Sequence, residues 1–163
     1  MGEAGIHIKM IFNKERGLFM AGIIDTNIVT QIAFVVKDME AAKQKFAEFL
    51  GVEPPNHFAT NKSVDNIIDG EPAPDVSALL AFFNVGPNLA IELIQPNGVK
   101  SVWQEVLDQQ GEGFHHIAFN IIGMDEKVQA CENAGWRCLQ RGKGYAYMDT
   151  RADLKCIVEL LGK

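Results

Sequence analysis

Short apolar stretches, many of them interrupted by a single polar residue, follow one another along this chain of 163 residues. Runs of Val, Ile, Leu and Phe of this length predict β-strands. We place the predicted strands at 28–36, 77–85, 89–95, 114–122, 136–140, 145–149 and 155–161, with a further one at 6–12. Helical spacing of apolar residues predicts helices from Asp38 to Gly51, from Ser101 to Gln110 and over 124–134.

Four of these strands carry one polar residue at a position where the neighbours are apolar. The four residues are Gln31, Glu92, His116 and Glu159. Burying such a side chain without a partner costs on the order of several kcal/mol, so four of them suggest one shared partner. We expect that partner to be a divalent metal. The alternative is a metal-free cavity, in which Gln31 bonds to the backbone, His116 is a satisfied core histidine and the glutamates pair with Lys or Arg.

The second half of the chain repeats the first. His116 lies 85 positions after Gln31, and at this offset Ile-Ala-Phe follows both residues. Glu159 lies 67 positions after Glu92, and each begins a Glu-Leu-aliphatic segment, so the first half is 18 residues longer. The polar segment 56–76 accounts for most of that excess. The repeat predicts an α+β fold in which two βαβββ units form a curved mixed sheet around a metal-binding cavity, with helices outside.

Strand alternation places the four polar residues on the same face of that sheet. Ala33 and Val35 share the face of Gln31, and Ile157 and Leu161 share the face of Glu159. His115 alternates away from His116, and we expect it to be structural or exposed at an edge.

The repeat also predicts the division of the chain. We expect an N-terminal arm over 1–27 and a first module over 28–95. A linker with a short helix follows over 96–112, and a second module covers 113–163.

Composition narrows the classes of function. A net charge of −6 and a pI near 5.2, without a Lys/Arg stripe, argue against a nucleic-acid partner. Three cysteines without C-x-x-C spacing are typical of a reducing compartment. No apolar run is long enough for a membrane helix, so we expect a cytoplasmic protein without a membrane partner.

The residues around the four polar positions resemble the vicinal oxygen chelate superfamily, which includes glyoxalase I, bleomycin-resistance proteins, extradiol dioxygenases and methylmalonyl-CoA epimerase. The resemblance covers roughly 28–161. The segments that carry it are Gln31–Asp38 (QIAFVVKD), Glu92–Pro96 (ELIQP), Gly113–Phe119 (GFHHIAF), Tyr145–Asp149 (YAYMD) and Val158–Leu160 (VEL).

This resemblance implies that Gln31, Glu92, His116 and Glu159 are metal ligands. The set suits Zn, Co, Ni or Mn as the divalent ion and lacks the second histidine of an iron dioxygenase site. Either Glu159 or Glu92 is the candidate catalytic base for removing a proton next to a carbonyl. A homodimer is the default expectation for the superfamily.

Three functions stay open. The surrounding segments are most similar to methylmalonyl-CoA epimerase, although the strand at 77–85 lacks the acid that serves as the separate base in that enzyme. The ligand order Gln, Glu, His, Glu is that of lactoylglutathione lyase (glyoxalase I). A non-catalytic protein that binds a small molecule, like the bleomycin-resistance proteins, is the third.

Other side chains are open to two interpretations. Four basic residues in the last third of the chain could bind the phosphates of an acyl-CoA or the carboxylates of a glutathione thioester, or could be solvated turns. They are Arg141, Lys143, Arg151 and Lys155. Tyr145 and Tyr147 share one strand face, where they serve either packing or substrate contact.

Overall fold

The computed structural model describes residues 10–13, 17–20 and 22–162. Within these ranges the chain forms strands and helices in the following order: β1 (Met10–Asn13), β2 (Gly17–Met20), β3 (Val29–Val35), α1 (Met39–Leu50), β4 (His57–Ala59), β5 (Ile67–Ile68), β6 (Glu71–Pro72), β7 (Ala78–Asn84), β8 (Ala90–Pro96), α2 (Val102–Gln110), β9 (Gly113–Ile121), α3 (Met124–Asn133), β10 (Cys138–Gly142), β11 (Tyr145–Met148), α4 (Arg151–Leu154) and β12 (Ile157–Gly162).

Ten of the strands form one curled mixed sheet in the order β4-β7-β8-β3-β9-β12-β11-β10-β5-β6. The antiparallel pair β3–β9 lies at its centre. On one side β3 pairs with β8 in parallel, and on the other side β9 pairs with β12 in parallel. The order 4-7-8-3 in one half therefore matches 10-11-12-9 in the other. The predicted α+β fold of two repeated units is confirmed, whereas the residue limits of the modules stay a prediction.

Helices α1 and α3 pack on the convex face of the sheet, as predicted. Met39 and Ala47 of α1 pack with Leu93, and Val128 and Cys131 of α3 pack with the outward residues of β12. Helix α2 lies on the other face. Its Trp103 and Val106 belong to the same buried cluster as Ala33, Val35 and Ile157, so α2 closes one end of the concave side.

The helix ends follow the predicted caps. The Asp38 carboxylate accepts a hydrogen bond of 3.0 Å from the Ala41 amide, and Gly51 ends α1 with a left-handed φ of 68°. The Ser101 hydroxyl accepts a bond of 3.1 Å from the Gln104 amide at the start of α2.

The polar segment 56–76 contains more structure than its composition indicates. It forms β4, β5 and β6, and β5 pairs with β10 of the opposite half through Ile67↔Arg141 and Ile68↔Gln140. Ile68 is buried in the concave-side cluster. The extra residues of the first half therefore cross the opening of the curl and attach to the far edge of the sheet.

Two smaller differences concern the ends of the chain. The strand predicted at 6–12 overlaps β1, which pairs with β2 in a separate two-stranded sheet, while residues 6–9 lie outside the described residues. Between the strands predicted at 145–149 and 155–161, the chain forms the short helix α4. In the described part of the chain, no helix is long and apolar enough to cross a membrane.

Candidate active site

Strand register brings the four predicted ligands together. Across the middle of the sheet, Ala33 of β3 pairs with Glu92 on one side and His116 on the other. In the next row, Ala118 of β9 pairs with both Gln31 and Glu159.

Each alanine therefore separates two of the polar residues, and the side chains of Ala33 and Ala118 are 0% exposed. The identical Ile-Ala-Phe segments are thus explained. The small alanine leaves the space into which its polar neighbours project.

The donor atoms of the set converge closely. His116 Nε2 lies 3.0 Å from Glu159 Oε2 and 3.4 Å from Glu92 Oε2. One ligand atom from each of these three residues lies within 4.8 Å of the others. Gln31 lines the same cavity as Glu92 and Glu159. The structure therefore assembles all four residues singled out in the sequence.

These atoms have no ordinary hydrogen-bond partner. Gln31 Oε1, Glu92 Oε2, His116 Nε2 and Glu159 Oε2 are buried and unpartnered. In the described residues, neither glutamate lies within ion-pair distance of a lysine or arginine. The metal-free alternative required such pairs for the glutamates, so in the described residues no lysine or arginine offsets the cost of burying these carboxylates.

Burial dominates the electrostatics of the site. Desolvation raises the pKa of Glu159 to about 8, partly opposed by a hydrogen bond with Tyr147. The pKa of Glu92 is raised well above its usual value by desolvation and by the nearby Glu159 charge. Desolvation lowers the pKa of His116 to about 3. Without a bound ion, burial thus favours the neutral forms of the two carboxyl groups and of the imidazole. A bound cation would stabilise the ionised carboxylates.

The set fits a divalent ion on its own chemistry. Two carboxylates would balance two positive charges, and the imidazole and amide oxygen would complete a mainly oxygen ligand set. Buried oxygen and nitrogen atoms that face one another without hydrogen-bond partners would be satisfied by a bound cation. Gln31, Glu92, His116 and Glu159 are the residues that would hold it.

One side chain that supports the site, Trp103, did not stand out in the sequence, and it contacts Tyr147, for which packing and substrate contact were both open. Trp103 of α2 donates from Nε1 to the Tyr147 hydroxyl at 3.0 Å, and Tyr147 is fully buried. Tyr147 therefore has its own proton free for the Glu159 carboxylate, which explains the partial opposition to the pKa shift. The sequence could not place Trp103 at the site, because the spacing of apolar residues predicts a helix but does not show which face of the sheet that helix covers.

The expected position of His115 was wrong. His115 is only 3% exposed, and its Nδ1 lies 2.8 Å from Nδ1 of His116. In the β3–β9 ladder, His116 opposes Ala33 and Phe114 opposes Phe34, so His115 is the extra residue of a β-bulge. A bulge breaks the alternation of side chains, and both imidazoles therefore point to the same side.

Gln31, Glu92 and Glu159 line a cavity of about 240 Å³. Val76, Leu80, Phe82, Tyr145 and Leu161 form its apolar walls, and Thr60, Asn61, Asn66 and Lys143 add polar groups. In this lining, Glu92 and Glu159 are the only carboxylates, and β7 contributes Leu80 and Phe82 rather than an acid. The cavity therefore has room for a small molecule with both apolar and polar parts.

The basic residues of the last third divide into two kinds. Arg141 pairs with Asp125 at 2.7 Å, and Arg151 pairs with Asp149 at 2.8 Å. Lys155 donates to the Ala152 carbonyl. Lys143 lines the cavity and is the basic side chain placed to meet a charged part of a ligand.

Residues 30–152 match the model of the Glyoxalase/Bleomycin resistance protein/Dioxygenase superfamily. The chain belongs to this superfamily. Among curated proteins it is similar to the uncharacterized protein YqjC of Bacillus subtilis (strain 168), with 32% identity over 88 residues. That match covers 50% of this chain and 62% of the relative's length.

Solved structures with the same fold include methylmalonyl-CoA epimerases. The enzyme from Mycobacterium tuberculosis is 19% identical with a TM-score of 0.55, over 82% of this chain and 86% of that one. A variant of the Streptomyces coelicolor epimerase, in complex with 2-nitronate-propionyl-CoA, is 19% identical with a TM-score of 0.61, over 84% and 94%. At these identities the likeness shows the fold of this superfamily member.

Proposed function

We propose that this chain is a metal-dependent isomerase or epimerase that removes a proton from the carbon next to the carbonyl of a small acyl thioester. The observation that carries the proposal is the convergence of four buried, unpartnered donor atoms, and three of the four residues line the cavity. A divalent ion held by Gln31, Glu92, His116 and Glu159 would supply the positive charge that stabilises the developing enolate oxygen.

Glu159 is the residue we assign to proton removal. Burial raises its pKa in the metal-free chain, and the positive charge of a bound cation would hold the carboxylate ionised, which is the form that accepts a proton. The hydroxyl of Tyr147, itself held by Trp103, orients that carboxylate. Because the cavity lining described above contains no other carboxylate, we assign the base to Glu159 or Glu92.

Glu92 is the residue we assign to the opposite step. It occupies in β8 the place that Glu159 occupies in β12, so the two carboxylates approach the cavity from opposite halves of the sheet. Epimerisation needs removal of a proton on one face of the carbon and delivery on the other. The pseudo-symmetric pair meets that need without an acid on β7.

The substrate class follows from the cavity and from the relatives. A volume of about 240 Å³ accommodates a short acyl group, while Lys143 at the lining can meet an anionic carrier. The Streptomyces coelicolor structure contains an acyl-CoA analogue, which supports an acyl-CoA as the first substrate to try. Assembly as a homodimer and a cytoplasmic location accompany the proposal as predictions.

Lactoylglutathione lyase activity is the second candidate, because the observed set has the ligand order Gln, Glu, His, Glu. One experiment separates the candidates. Protein purified without chelators or a histidine tag is loaded with Zn²⁺, Co²⁺, Ni²⁺ or Mn²⁺ and incubated in D₂O with either a 2-methyl-branched acyl-CoA or the hemithioacetal of glutathione. Deuterium uptake at the α-carbon is measured by mass spectrometry.

We expect one bound ion per chain and exchange with the acyl-CoA. Exchange only with the hemithioacetal would replace the leading function by the second. Stabilisation by either ligand with no exchange, in protein that takes up no metal, would contradict both and identify a small-molecule-binding protein.

A further inference from the structure

The pairing of His115 with His116 is unusual for consecutive residues of a strand. Regular alternation would send the two rings to opposite faces. The bulge at His115 instead sets the rings 5.1 Å apart between centroids, with planes 82° to each other and their Nδ1 atoms at 2.8 Å. The Tyr147 ring packs against both, at 5.4 Å and 5.0 Å. The pair is therefore held in one orientation by its surroundings.

A contact between two Nδ1 atoms at this distance links the protons of the two rings. A hydrogen bond needs one nitrogen with a proton and one with a lone pair, so the two rings cannot both be protonated or both be bare at Nδ1. In its neutral form, which is the form that binds a metal, each imidazole carries one proton on one of its two nitrogens. Only two arrangements of these protons remain.

In the first arrangement, His115 donates from Nδ1, and His116 carries its own proton on Nε2. In the second, His116 donates from Nδ1 to His115, and the lone pair of His116 Nε2 faces Glu92 and Glu159. His115 Nε2 has no hydrogen-bond partner of full geometry, although the Val102 backbone lies close enough to His115 to accept a hydrogen bond. Only the second arrangement offers a lone pair to a cation at the site.

We propose that His115 is the positioning residue that holds His116 as its Nδ1-protonated tautomer and so presents the Nε2 lone pair to the divalent ion. This inference rests on the proposed function, because it assumes a cation at the site. Histidine ligands usually give their second N–H to a carboxylate or carbonyl. Here the acceptor is a neutral imidazole, supplied by the next residue through a bulge.

The direct test is the tautomeric state in protein with ¹⁵N-labelled histidine, loaded with Zn²⁺ and compared with the metal-free form by long-range ¹H–¹⁵N correlation spectra. We expect His116 protonated at Nδ1 and His115 protonated at Nε2 in the loaded protein. A proton on Nδ1 of His115 in the loaded protein would overturn the inference and leave the metal site intact. Wild-type protein that takes up no Zn²⁺ would overturn the inference and the proposed function together.

A matched pair of substitutions gives a second readout. His115→Phe keeps an aromatic ring but cannot accept a hydrogen bond, and we expect the Kd for Zn²⁺ to rise about 10- to 100-fold. His115→Gln offers an amide oxygen to His116 Nδ1, and we expect most of the affinity to return. Equal losses in both variants, matched by equal drops in the Tm of the metal-free protein, would mean a packing role only and overturn the inference.

Discussion

The half of the sheet that starts at β3 and the half that starts at β9 share one strand order but differ in chemistry and in length. Gln31 in the first half provides a neutral amide where His116 provides an imidazole in the second. Glu92 and Glu159 are equivalent in place, and so are Ala33 and Ala118.

The first half adds β5 and β6, which cross to the edge of the second. The strand order common to both halves positions the candidate ligand atoms. The additional segment of the first half lines the cavity and so affects which molecules fit.

The largest expected effect is on α-proton exchange and concerns one of the two equivalent glutamates, Glu159. Glu159→Gln removes the carboxylate assigned to proton removal, and we expect α-proton exchange in D₂O to fall about 10²- to 10⁴-fold. Glu132→Gln, an exposed glutamate on α3, is the control and should leave exchange unchanged. Full exchange by Glu159→Gln with the same acyl-CoA would transfer the role of base to another group.

A substitution at Ala33 tests whether the small residue between two candidate ligands positions them for metal binding. Ala33→Val adds two methyl groups between Glu92 and His116, and we expect Zn²⁺ affinity to drop at least tenfold together with an overpacking cost of about 1–3 kcal/mol. Ala146→Val is the matched control, because Ala146 is equally buried but packs in the convex-face cluster. Calorimetric Zn²⁺ titration distinguishes them, and equal affinities in the two variants would contradict the assignment of Ala33.

A substitution in β5 tests the extra segment 56–76, which the second half lacks. Ile68→Ala removes the buried anchor of β5, and we expect a loss of about 2–5 kcal/mol in unfolding free energy and a raised KM, with Zn²⁺ affinity retained. Arg137→Ala breaks only the half-exposed pair with Asp69 and should cost about 0–1 kcal/mol. Loss of Zn²⁺ affinity in Ile68→Ala would mean that the insertion supports the ligands themselves.

The smallest effect concerns the metal-free protein and pH. The pKa of Glu159 is raised to about 8 in the fold, above its ordinary value of 4.5, so the folded state holds a proton that the unfolded state has released. Stability is therefore lost as pH rises through this range. Near pH 7 the two buried histidines oppose this fall slightly, because in the unfolded state, with an ordinary pKa of 6.5, they still bind a small fraction of a proton. This opposing contribution fades toward about pH 8.

We expect the Tm of metal-free protein to fall between about pH 7 and 8, where the three thiols, whose ordinary pKa is 9.0, are still mostly protonated. Glu159→Gln should show a shallower fall, with the remainder due to Glu92, whose pKa is also raised. Differential scanning calorimetry at matched ionic strength measures both slopes. Identical slopes would show that Glu159 does not titrate in this range.

Much of this site could be predicted because it obeys local rules. Glu92 and Glu159 are polar residues inside apolar strands, and strand periodicity places them on one face without knowledge of the fold. The repeat at offsets 85 and 67 pairs them with Gln31 and His116.

His115 could not be placed in the same way. A bulge depends on the pairing with a partner strand and leaves no mark in the periodicity of its own strand.

The amino-acid sequence by itself determined the strands, the caps at Asp38 and Ser101, the repeat and the four candidate ligands, because each depends on spacing along a single segment. Only the tertiary structure decided that α2 places Trp103 on the concave side, that β5 pairs with β10, and that His115 turns toward His116. These three features depend on contacts between segments far apart in the chain, whose geometry is set when the two halves pack together.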